Sequence, residues 1–271
     1  MFHFDWLFRF GAFVLGLTNL IAEESLIIGE SQAIGADGSM VVCHYANSEA
    51  ANNELWVHFH GLASVAADNF TKAKINGVLV VINFNGLSAA YSKPFREAPD
   101  LFQEVLEQTA AHLRSPWKRL TVSSFSAGYG AVREILKTPE YFQRIDALVA
   151  SDSMYASLIQ GTESRQPLKD HMRNYLRFAK LAAEGKKTLL ISHTNQETAY
   201  ASTTETANYL IESVGIKRET TSPRKGEPLP LRSKATKDNF TVLGYEGTTG
   251  DDHMQHLRQI HLWWRLLNAV D

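Results

Sequence analysis

Cysteine is nearly absent from this sequence. Cys43 is the single one in 271 residues, so no internal disulfide can form and no Cys-type zinc site can be assembled. An excess of charge of one sign is lacking too. Lys and Arg number 27 against 29 for Asp and Glu, a formal net charge of −2. That leaves no bulk field to hold a polyanion, and nucleic acid is not an expected partner. No apolar run reaches the roughly 20 residues that cross a bilayer as a helix, so no transmembrane span is expected. A Gly-rich phosphate loop, a dinucleotide fingerprint and a metal-ligand box are also missing, so the sequence implies no cofactor and no metal. Hydrophobic residues at 44% and charged residues at 21% exclude the collagenous and disordered classes. The length fits one large domain, or at most two.

The first 22 residues are the compositional anomaly. Residues 10–22 (FGAFVLGLTNLIA) form an apolar run preceded by Arg9 and followed by Glu23 and Glu24. This is the outline of a secretory signal peptide, which predicts export to a periplasm or beyond. Asp5 in the basic region and Leu20 near the cleavage position depart from that outline. An uncleaved N-terminal anchor or a cytosolic segment are the alternatives. Residues 23–271 read as a single domain.

The order of elements carries the fold class. Residues 25–34 and 40–45 predict a leading pair of strands around Gly35-Ala36-Asp37-Gly38. Short, apolar, β-branched runs follow at 55–59, 78–84, 120–124, 145–150, 188–192 and 240–245, as expected of strands buried on both faces. Helical spacing occurs at 99–113, 127–137, 168–184, 202–214 and 254–269, and Ser202-Thr203-Thr204-Glu205 has the form of a capping box. Alternating β and α in one chain implies an α/β fold with a mostly parallel sheet and helices on both faces. Residues 221–238 predict one long surface loop with a solvated basic face. The stretch 153–187 leaves room for a small cap.

The strand at 120–124 runs into Ser124-Phe125-Ser126-Ala127-Gly128-Tyr129-Gly130 and then a helix. This strand, tight turn and helix is the context of a nucleophile elbow, in which crowding demands small residues two before and two after the nucleophile. Ser126 is the candidate nucleophile, favoured by the N–H groups and positive end of the helix it opens. As an alternative it merely caps that helix. Gly247-Thr248-Thr249-Gly250-Asp251-Asp252-His253 follows the last strand as a Gly-rich loop, predicted to present His253 as the general base just before the final helix. His112, His256 and His261 fall within helical patterns and read as surface or packing residues. His60-Gly61, at the end of an earlier strand, marks the usual place of a second oxyanion donor. The backbone N–H of Leu62 would then act with that of Ala127. His58 and His60 alternate onto one strand face, a zinc-like pattern without further ligands at matching spacing.

In these three places, taken in chain order, the sequence resembles the alpha/beta-hydrolase fold superfamily, and within it bacterial serine-hydrolase-like members. The resemblance covers roughly residues 55–269. It departs from the common pattern at Ser124, where glycine is usual. It implies an eight-stranded, mostly parallel sheet and a Ser-His-acid triad.

Three carboxylates compete for the acid. Asp152 emerges directly from the strand predicted beside the nucleophile strand. Glu197 follows the next strand, the position most often used in the family. Glu205 already has work in the capping box. Asp251 and Asp252 adjoin His253 too closely to reach its far ring nitrogen easily. Asp152 is preferred, with the other assignments left open.

Phe125, Tyr129, Tyr91 and Tyr155 are the aromatics expected to border the site. They lean towards a small-molecule ester with a hydrophobic acyl or aromatic group, cleaved by a carboxylic-ester hydrolase. A peptidase or amidase on the same triad, and a binding protein that has lost catalysis, are the competing readings.

Overall fold

The computed structural model describes residues 26–27, 32–34, 40–46, 54–111, 116–161, 164–223 and 226–268. The apolar segment at 10–22 and His112 lie outside the described residues. In chain order the elements are β1 (Leu26–Ile27), β2 (Gln32–Ile34), β3 (Met40–Ala46), β4 (Glu54–Phe59), α1 (Ala63–Ala73), β5 (Gly77–Phe84), α2 (Ser88–Glu97) and α3 (Leu101–Ala110). There follow β6 (Arg119–Phe125), a 3-10 turn (Ser126–Gly128), α4 (Tyr129–Ile135), α5 (Pro139–Arg144), β7 (Ala147–Ser151), α6 (Lys169–Ala182) and β8 (Thr188–His193). The chain closes with α7 (Thr203–Val214), β9 (Glu219–Thr220), β10 (Leu231–Lys237), β11 (Phe240–Tyr245), α8 (Gly250–Arg258) and α9 (His261–Asn268).

One sheet has the order β1-β3-β5-β4-β6-β7-β8-β11-β10-β9, with β2 paired to the same neighbour as β1. The six central strands, β5 to β11, are parallel, and β3 and β10 flank them antiparallel. Among the described residues the sheet holds eleven strands, not the eight that the resemblance implies. Local antiparallel pairings add the extra ones at both edges.

Each strand splits its residues between two cores, as the two-residue period requires. In β4, Leu55, Val57 and Phe59 join the larger core under α2 to α7, while Trp56 joins the one formed with α1 and α9. Both faces are therefore covered, which explains the near-continuous apolar runs of the central strands.

Two predictions are corrected here. Residues 221–238 do not form one loop, because β10 occupies Leu231–Lys237 and pairs with β11 in register from Ser233–Gly244 to Lys237–Phe240. Its buried Ser233 and Ala235 alternate with exposed Lys234 and Thr236, a period-2 pattern masked by the prolines and charges before it. The final helical pattern is two helices, broken at Gln259 and Ile260, so that α9 can turn its Trp263 and Trp264 onto the sheet. Within 153–187, α6 lays Met172, Tyr175 and Phe178 into the core. The segment bordering the site is the loop before it, where Ala156 bridges Ala201 and Leu158 bridges Pro167.

Candidate active site

The site lies where β4, β6 and β7 end. At each of these ends one non-glycine residue has a left-handed backbone: His60 (φ 71°), Ser126 (φ 46°) and Asp152 (φ 43°). Such conformations are uncommon outside glycine and persist where the surroundings enforce them.

At the elbow, close packing enforces it. A Cβ on Gly128 would overlap the carbonyl oxygen of Phe59, and one on Gly130 would overlap that of Ser88. Both glycines thus let α4 sit against its neighbours' backbone. Ser124 takes the position where glycine is usual, and its side chain is accommodated, fully buried, with no partner for its Oγ among the described residues. Ser153 Oγ donates to the Ser126 carbonyl at 2.9 Å and ties the turn to the end of β7.

The structure brings Asp152 to His253. His253 Nδ1 lies 2.7 Å from Asp152 Oδ2. The carboxylate is fully buried and also accepts from Thr194 N (3.1 Å), Thr194 Oγ1 (2.9 Å) and Thr203 Oγ1 (2.5 Å). Burial alone would raise the Asp152 carboxyl. The hydrogen bond from His253, the nearness of His256 and His253, and the Thr203 bond outweigh it and hold the group well below the usual carboxylate range. An ionised Asp152 can only accept, so Nδ1 of His253 carries a proton, and in the neutral ring the lone pair is on Nε2.

His253 is not in a loop before the helix, which corrects the sequence expectation. Thr249 caps α8 in a reciprocal capping box with Asp252, and His253 follows inside the first turn. The Gly-rich run spans this cap, with Gly247 before Thr249 and Gly250 opening the helix. Its Gly247 has φ 129° and packs so closely on Asp252 that a side chain would clash. Phe125 stacks on His253 at 4.6 Å between ring centroids, and His60 stacks on Phe125 at 5.9 Å.

The other acid candidates are elsewhere. Glu197 is exposed. Glu205 completes the α7 capping box and pairs with Arg165. Asp251 pairs with Arg258, and Asp252 is held by Thr248 and Thr249. His256 is buried, shares a 2.8 Å hydrogen bond with Ser192 Oγ and stacks on Trp263. His261 bonds to Asn69. Both have the packing roles expected of them.

His58 and His60 do not share a face. His58 sits against Trp264 and Ser123 on one side of the sheet. The left-handed backbone at His60 turns that ring to the other side, with its Nδ1 2.7 Å from the Tyr91 hydroxyl. Among the described residues no group of three or more His, Cys, Asp or Glu side chains is arranged to hold a metal ion. In the turn that follows, the His60 and Gly61 N–H groups donate to Ile82 O and Asn83 Oδ1. Leu62 is the N-cap of α1 and Ala127 lies in the first turn after Ser126. The N–H groups at such positions have no partner within their own helix.

Ser126 and His253 both line one cavity of about 460 Å³. Tyr129 and Tyr155 line it as expected, and Tyr200, Arg133 and His171 line it too, which sequence reasoning missed. Tyr91 and Phe125 are buried behind the site. The Thr194 and Thr203 contacts to Asp152 were also missed. They join residues 42 and 51 positions apart, for which no local signal exists.

No protein-family model matches the sequence, and neither does any curated protein. Solved structures do match. An arylesterase is 12% identical over 92% of this chain and 84% of its own, with a TM-score of 0.52. A hyperthermophilic esterase from the archaeon Pyrobaculum calidifontis is 12% identical over 91% of this chain and 86% of its own, with a TM-score of 0.50. At such identity the likeness speaks for architecture alone. The chain has the alpha/beta-hydrolase fold.

Proposed function

We propose that the protein is a serine hydrolase that cleaves a carboxylic ester through an acyl-enzyme. The observation that carries this reading is the 2.7 Å bond of His253 to the buried Asp152, beside a cavity that Ser126 also lines. In this reading Ser126 Oγ forms a bond to the ester carbonyl carbon while His253 Nε2 takes its proton. Asp152 holds the ring in the required tautomer and stabilises the imidazolium. The backbone N–H groups of Ala127 and Leu62 hold the oxyanion. The tetrahedral intermediate then breaks its bond to the leaving oxygen, which departs as the alcohol with the proton from His253. Water, deprotonated by His253, attacks the acyl carbon, and Ser126 regains its proton as the acid leaves. The wall of Tyr129, Tyr155 and Tyr200, with Leu87 80% exposed at its rim, supports a substrate with a hydrophobic or aromatic portion. Both fold relatives are named as esterases, which agrees with this reading without carrying it.

Intact mass after fluorophosphonate treatment tests it. Wild type is expected to gain one adduct, Ser126→Ala none, and His253→Ala an adduct at a sharply reduced rate. A folded wild type that stays unlabelled would overturn the reading. Turnover of aminoacyl-anilides with inert p-nitrophenyl esters would move it to an amidase.

A further inference from the structure

The cavity beside Ser126 has a polar end that ester cleavage itself does not use. Among the described residues that line it, Arg133 is the single Arg or Lys and none is a carboxylate. Tyr129 and Arg133 are four residues apart on α4, so they share a helix face. The guanidinium lies 5.3 Å from the centre of the Tyr129 ring, and the side chain is only 18% exposed. Among the described residues its neighbours leave donors unused. Arg133 Nη1 donates to His171 Nδ1 at 3.2 Å. The nearest carboxylate oxygen of Glu134 is 4.0 Å from Arg133 Nε, whereas Lys137 holds Glu134 at 2.7 Å.

His171 stands in the first turn of α6 and presents a second donor. Its Nδ1 accepts from both Arg133 and the Ser157 N–H at 3.1 Å, so the ring proton sits on Nε2. Burial first, and then the charge of Arg133, keep this ring neutral by lowering its pKa. A half-buried guanidinium with an imidazole N–H beside it, in a cavity whose described lining holds no carboxylate, is an arrangement that recognises an oxyanion group.

We propose that this end of the cavity is a subsite for an anionic group, and that the substrate is an ester carrying a carboxylate or similar oxyanion on its acyl or alcohol part. This rests on the ester-hydrolase reading and narrows it. The tyrosines contact the body of the substrate, Ser126 attacks its carbonyl, and Arg133 with His171 anchors its charged end.

Two substrate pairs, each neutral against anionic, test the proposal and separate the two ends. p-Nitrophenyl valerate against p-nitrophenyl hemiglutarate varies the acyl part. Methyl 4-acetoxybenzoate against 4-acetoxybenzoate varies the alcohol part. The anionic member of one pair is expected to have kcat/KM about ten- to a hundredfold higher, mainly through KM, as for a charged hydrogen bond. In Arg133→Met that ratio should collapse, and in Arg133→Lys it should survive in part. The same ratio in wild type and Arg133→Met, or a preference for the neutral member in both pairs, would overturn the subsite. Calorimetric binding of the same esters to Ser126→Ala, with and without Arg133→Met, reads the subsite without turnover. Anion-dependent binding without any turnover would sink the hydrolase reading and keep the subsite. Turnover without anion preference would do the reverse.

Discussion

Asp152 accepts four hydrogen bonds and is sealed from bulk solvent, so its charge is fixed by donors whose positions the fold dictates. Asp152→Asn should leave the packing largely intact but place an amide where the proton of His253 now sits, favouring the wrong tautomer. A fall in kcat of about 10³–10⁴-fold is expected, measured on an ester that the wild type turns over. Gly128→Ala should lower the melting temperature and cost about 1–3 kcal/mol, because the new methyl group meets the fixed carbonyl of Phe59. The opposite sign is expected at Ser124. Its buried hydroxyl has no partner among the described residues, so Ser124→Ala should be neutral or stabilising by about 1 kcal/mol in a urea titration. At this scale the sequence was readable where the signal was local. The spacing of small residues singled out Ser126, and the run of glycines singled out the neighbourhood of His253. The preference for Asp152 came from topology, and the threonines that hold it could not be read at all.

At the scale of elements, α8 carries His253 and depends on its cap. Thr249 Oγ1 accepts from Asp252 N at 3.2 Å and Asp252 Oδ2 accepts from Thr249 N at 2.9 Å, four residues or fewer before His253. Thr249→Ala should cost about 1 kcal/mol of stability. Because the frayed turn is the one that holds His253, it should also slow fluorophosphonate labelling. An unchanged labelling rate in a variant whose unfolding midpoint has dropped would show that Asp152 and Phe125 suffice to position the ring. The capping box of α7 was legible as Ser202 to Glu205. That of α8 was not, because Asp252 stands where Glu or Gln is the familiar partner, and the glycines around it read as loop. β10 escaped for the related reason that its outward residues are charged and its inward ones are as small as Ser233 and Ala235.

At the scale of the whole molecule, three fully buried histidines among the described residues bear on stability. Burial pushes His58 and His193 down to about 3 and His256 down to about 4, against an ordinary value near 6.5. The unfolded chain therefore binds protons that the folded one refuses. The stability these rings contribute is present above about pH 6.5 and is lost as the pH falls towards 4 and 3. Asp152, held low in the fold, adds a loss of the same sign at lower pH still. The urea midpoint should drop steadily between pH 7.5 and 4.5, and a flat profile would contradict the buried placements. None of this was visible beforehand. The order of strands and helices revealed the fold class because alternation is a property of the chain, whereas burial of a histidine is a property of the sheet's two faces. The same packing gives the molecule an optical reporter. Trp56 and Trp264 meet edge to face with His58 against the second ring, and Trp263 stacks on His256, all of them sealed from water. Indole emission shifts to the red on hydration and is quenched more strongly by imidazolium than by imidazole, so the emission of these three tryptophans will register the protonation and the opening of this one cluster together, alongside that of Trp117 against the other core.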